Sequence, residues 1–173
     1  MAILVAVFSV GAFAQFEKGT KYVNASLSGL NMSYSKGTRF NLGLNATAGY
    51  FLQDAWMLLG RAEYEYSYNS GDNHLISVGA AGRYYIRQNG LYIALGGKYE
   101  YRINEFNYDG IKENATLHTE HGRGNIYVTP ELGYCFYLNN FVSIEPSVYY
   151  DISLNHFSDY SRVGVRLGVG FYF

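Results

Sequence analysis

Residues 162–173 read RVGVRLGVGFYF, the clearest structural signal in the chain. Val163, Val165, Leu167, Val169, Phe171 and Phe173 share one parity, while Arg162, Gly164, Arg166, Gly168, Gly170 and Tyr172 share the other. Successive side chains of a strand point to opposite faces, so an unbroken period of two means a strand with one apolar and one polar face. The apolar row turns aromatic toward Phe173, and the polar row sets its two arginines among glycines.

The same alternation recurs along the chain. Phe40, Leu42, Leu44, Ala46, Ala48 and Tyr50 alternate with Asn41, Gly43, Asn45, Thr47 and Gly49. Trp56, Leu58, Ala62, Tyr64 and Tyr66 alternate with Arg61, Glu63, Glu65 and Ser67. Ile76, Val78, Ala80 and Tyr84 alternate with Ser77, Gly79, Ala81 and Arg83. Leu91, Ile93, Leu95, Tyr99 and Tyr101 alternate with Ala94, Lys98, Glu100 and Arg102. Ile126, Val128, Leu132 and Tyr134 oppose Asn125, Thr129 and Glu131, and Val142, Ile144, Val148 and Tyr150 oppose Ser143, Glu145, Ser147 and Asp151. The first strand, near Tyr22 to Tyr34, slips phase around Gly29, which predicts a bulge. Pro130 and Pro146 fall on the apolar parity, where each removes a ladder donor, and both are expected near a rim.

Between strands, two kinds of connection alternate. LQDA at 52–55, RQNG at 87–90 and LNN at 138–140 are tight, whereas SKGT at 35–38, NSGDN at 69–73, 107–122 and NHFSDY at 155–160 are polar. Short turns at one rim and longer loops at the other predict an all-β, eight-stranded antiparallel up-and-down transmembrane β-barrel. Half of the chain is hydrophobic and aromatics make up 18%, yet after Gln15 no apolar run is long enough for a membrane helix. The start, MAILVAVFSVGAFAQ, ends in a small-x-small pattern and reads as a signal peptide over 1–14, truncated at its front because a basic segment is missing. Residues 15–173 then form the barrel domain.

The polar parity separates a membrane barrel from a soluble one that alternates with its apolar face inward. It carries Arg61, Arg83, Lys98, Arg102, Arg123, Arg162 and Arg166 against Glu63, Glu65, Glu100, Glu131, Glu145 and Asp151, interleaved with Gly, Ala and Ser. A narrow lumen needs small residues beside long ones, and near-neutral pairing because isolated buried charges are costly. Eight strands leave an interior just wide enough for side chains to fill. These charges are therefore expected to plug the lumen, and a narrow ion-conducting, porin-like channel is the competing reading.

With its pattern, its GYF and GYCFY turn approaches and its closing GFYF, the stretch 20–173 resembles small OmpX/OmpA-like outer-membrane barrels, particularly those common in Bacteroidota. The resemblance implies an integral bacterial outer-membrane protein with a role in adhesion or envelope stability. It also implies contact with outer-membrane lipid, and Phe171 and Phe173 as the signal read by the outer-membrane assembly machinery. The 107–122 loop is where an extracellular ligand would be met, and a monomer is expected.

Other chemistry is thinly represented. His156-Phe157-Ser158 resembles the His/Ser pair of the outer-membrane lipid A deacylase family, which would make Ser158 a nucleophile and His156 its base. The fuller motif continues Asn-Ala where this chain has Asp159-Tyr160, and no acid follows in the last strand, so no enzyme is expected. His118 and His121, with Glu120 between them, form an H-x-x-H spacing that has no third defined ligand, so neither metal nor cofactor is expected. Thirteen basic against fourteen acidic residues, without a basic run, disfavour nucleic acid. The single Cys135 excludes an intrachain disulfide and reads as a packing residue.

Overall fold

The computed structural model describes residues 16–33, 37–67, 73–86, 89–104, 124–155 and 161–173. The strands are β1 (Lys21–Ser33), β2 (Gly37–Gln53), β3 (Trp56–Ser67), β4 (Asn73–Tyr85), β5 (Leu91–Asn104), β6 (Gly124–Tyr134), β7 (Phe136–Tyr137), β8 (Val142–Ser153) and β9 (Arg162–Tyr172). Each pairs antiparallel with its neighbour, β9 returns to β1, and β6 and β7 both pair with β8. The sheet thus closes on itself. Because β6 and β7 are one stave interrupted at Cys135, the wall is the expected eight-stranded up-and-down barrel. Residues 1–15, with the expected signal peptide, lie outside the described residues.

Parity sorts the side chains as the pattern requires. In β9, Gly164, Arg166, Gly168, Gly170 and Tyr172 are buried, while Val163, Val165, Leu167, Val169 and Phe171 are exposed. The exposed row continues around the wall through Leu27, Leu44, Leu58, Val78, Leu95, Leu132 and Val148. Aromatics gather at both margins: Trp56 with Tyr84 (4.8 Å between ring centroids) and Tyr134 with Phe136 (4.5 Å) at the turn rim, and Tyr64 and Tyr66 around His74 at the loop rim. Among the described side chains, no Asp, Glu, Lys or Arg faces outward between these margins.

The phase slip at Gly29 is a bulge, with the register shifting between Ser28 and Leu30 against β2 and between Ser28 and Asn31 against β9. The prolines have a sharper effect. The Leu154 amide donates to the Ile126 carbonyl and the Leu138 amide to the Val142 carbonyl. Antiparallel pairs alternate between bonded and non-bonded, so the even-numbered residues of β6 and β8 bond across the β6·β8 seam. Pro130 stands opposite Tyr150 and Pro146 opposite Tyr134 in that register, and neither imino nitrogen has a proton to give. The registered pairs accordingly skip 129–130 and 134–135. The break at Cys135 is therefore the imprint of Pro146 on its partner strand. Pro130 lies in the middle of its stave, not near a rim.

Candidate functional site

The lumen holds the chain's chemistry, in two tiers. Toward the loop rim runs a column of ion pairs. Arg83 lies 3.0 Å from Glu145, and Arg61 and Arg166 each lie 2.9 Å from Glu131. Arg166 and Lys98 share Glu63 at 2.7 and 3.0 Å. Lys98 and Arg162 share Asp151 at 2.7 and 3.0 Å, and Arg162 also meets Glu100 at 2.7 Å and Glu65 at 3.4 Å. Each of these carboxylates is shared with or adjacent to a cation, the condition under which buried charge is tolerable. Arg102 is half-buried on the same face of β5, whereas Arg123 lies outside the described residues.

Tyrosines stitch the column together. Tyr22 donates to Glu145 at 2.5 Å, Tyr92 to Glu131 at 3.1 Å and Tyr127 to Glu100 at 3.3 Å. The Arg83 guanidinium lies 3.9 Å from the Tyr92 ring centroid, and that of Arg166 lies 4.4 Å from the Tyr149 centroid. Cation–π contact adds to the ion pair when both are desolvated. Glycines make the room: a Cβ on Gly168 would lie 2.6 Å from Asn24 Nδ2, and one on Gly170 would lie 2.7 Å from Ser143 Oγ.

Toward the turn rim the lumen is apolar, which alternation alone does not predict. Phe51, Met57, Leu59, Tyr85, Tyr92, Cys135 and Tyr172 form one buried cluster. Its floor is Phe16, which precedes β1 and is only 1% exposed. The Phe16 ring stacks on Tyr85 at 3.9 Å and meets Tyr137 edge-on at 5.6 Å. The Ala55 amide donates to the Phe16 carbonyl (2.8 Å), and the Lys18 amide donates to Asp54 Oδ1 (2.9 Å). These bonds tie residues 16–20 across the mouth. Ala55 adopts a left-handed φ of 65° to make that turn. Cys135 lies just inside, its Sγ 3.3 Å from the Tyr172 hydroxyl.

The inward tyrosines share the parity of the charges, so their position was open to sequence reading; nothing in the pattern flags Phe16. Phe171 and Phe173 are exposed at the turn rim. His156, Ser158, the 107–122 loop and the His118, Glu120 and His121 group fall outside the described residues. Among the described residues no three His, Cys, Asp or Glu side chains gather as a metal would need.

No protein family matches the chain by sequence, and no curated protein matches it. Its fold is similar to solved structures. The N-terminal β-barrel domain of Pseudomonas aeruginosa OprF superimposes with a TM-score of 0.60 at 18% identity, covering 90% of this chain and 98% of that one. Neisserial surface protein A gives 0.63 at 19% identity over 90% of this chain and all of that one. Ail, the attachment invasion locus protein of Yersinia pestis, gives 0.53 at 16% identity over 91% and 99%. At such identities the likeness concerns the fold.

Proposed function

We propose that this chain is an integral bacterial outer-membrane barrel with a side-chain-filled lumen, serving envelope structure or surface contact without catalysis. The observation that carries the reading is the pairing of an uncharged outer wall, margined by aromatics, with an inward face of linked ion pairs. Water-facing walls have no need of the first, and ion pairs linked across the lumen fill an interior that eight strands leave just wide enough for side chains. Tyrosine and tryptophan prefer the boundary between hydrocarbon and headgroups, where an amphipathic ring is half wetted. The fold likeness to a surface protein and to an attachment protein supports a role at the cell surface.

In this orientation the short turns and Phe173 face the periplasm, and the loop rim faces outward. The polar 107–122 segment is the first place to seek an extracellular ligand, and Phe171 and Phe173 are the residues offered to the assembly machinery. Unboiled, detergent-solubilised protein should migrate on SDS gels apart from boiled protein; identical migration overturns the barrel in membranes. In planar bilayers the protein should pass no stable ohmic current, and a steady conductance would overturn the filled lumen.

A further inference from the structure

We propose that the wall parts first along the β6·β8 seam, and that lumen side chains crossing this seam act as its latch. The proposal rests on the membrane reading, because only there does an unpaired carbonyl lack water as a substitute partner.

Both prolines of the chain withhold their donors from this one seam. Tyr150 and Tyr134 thereby lose their ladder donors within the wall. The β1·β9 seam, where the two ends of the barrel meet, contains no proline, and it is registered without a gap from Tyr22–Tyr172 to Ser28–Arg166, ahead of the shift between Ser28 and Asn31. Over those seven pairs the closure between first and last strand is the more complete ladder.

What the backbone omits, side chains supply from inside. The Pro130 gap falls beside Thr129 and Asp151, which stand opposite each other in the register. There the Thr129 hydroxyl donates to Asp151 Oδ1 at 2.7 Å, with both groups buried. Lys98 of β5 reaches past β6 to the other oxygen of Asp151, at 2.7 Å. Arg162 of β9 reaches back across the seam to Glu100 of β5 at 2.7 Å, and Arg166 of β9 to Glu131 of β6 at 2.9 Å. Charge-assisted bonds of this length are about twice as strong as neutral ones. The column therefore has a task besides filling space: it holds shut the seam from which both prolines withhold their donors. At the Pro146 gap, Tyr172 links Cys135 and Glu145, contacting the thiol and donating to Glu145 at 2.8 Å.

Amide hydrogen exchange of the folded, gel-shifted barrel in detergent tests this residue by residue. The amides of Val128, Leu132, Val148 and Ile152 should exchange at least about tenfold faster than those of Val23, Ala25 and Val169, since local opening sets exchange. Asp151→Asn should accelerate the first group and spare the second. Thr129→Val, which leaves every charge in place, should do the same to a smaller degree. A disulfide from Val128→Cys and Ile152→Cys, in a Cys135→Ser background, should bring both groups to one rate. Equal exchange in the unaltered protein, or equal acceleration of both groups by Asp151→Asn, would overturn the proposal. Failure of the membrane reading would show separately, as loss of the gel shift.

Discussion

The floor and the column close the same lumen by opposite means. The floor at the turn rim is aromatic, built from Phe16, Phe51, Tyr85 and Tyr172, whose rings pack by apolar contact while the tyrosine hydroxyls reach up to the column. The column above it is ionic, and every contact depends on a partner being in place. Apolar packing loses energy roughly with the volume removed, whereas a buried charge stripped of its partner loses far more than the bond itself was contributing. The two tiers should therefore answer differently to substitution of similar size. Where they meet, Arg83 and Tyr92 belong to both, a guanidinium lying over an aromatic face.

The largest effect is expected at Glu131, the acceptor shared by Arg61 and Arg166. Glu131→Gln is nearly isosteric, yet it leaves two guanidinium groups short of charge and should lower stability by about 3–5 kcal/mol. The urea midpoint of the gel-shifted form measures this. A loss below about 1 kcal/mol would mean the column behaves like a solvated surface.

Next comes the floor. Phe16→Ala removes a fully buried ring, so a loss of about 3 kcal/mol is expected. The same change uncovers Cys135, which is buried in the intact floor. Maleimide labelling of the folded barrel should rise in the variant and stay low in the parent. Equal labelling would show that Phe16 is not what seals this end.

Tyr85→Phe probes the boundary between the tiers. It keeps the ring stacked on Phe16 but deletes a hydroxyl that accepts from Arg83 at 3.2 Å. A cost of about 1 kcal/mol is expected, the usual worth of one such hydrogen bond. The smallest effect belongs to the turn. Ala55→Gly relieves a left-handed φ at a non-glycine residue and should raise stability by about 0.5–1 kcal/mol. A loss there would show that the alanine methyl contributes more to the floor than its backbone costs.

Much of the fold was legible because parity is a local property. Each residue from Arg162 to Phe173 declares its face by its neighbours alone, and the Gly29 bulge showed as a slip in that count. The inward parity of Tyr92 with Lys98 and Glu100, or of Tyr85 with Arg83, was equally readable. Phe16 was not, because a residue outside any periodic run has no phase from which to infer a side. The prolines were visible as missing donors. Their shared seam was not, since that depends on which neighbour each residue bonds.

Alternation along the chain establishes that strands form, which side chains of the described strands point inward, and that twelve charges of the described residues share that parity. Only the closed barrel decided which charges meet. Arg166 finds Glu63 and Glu131 from distant strands, while Glu145 goes to Arg83. The physical reason is stagger: closing eight tilted strands slides each past the next by a fixed amount. Heights in the lumen, and so partners, follow from closure and not from position along the chain.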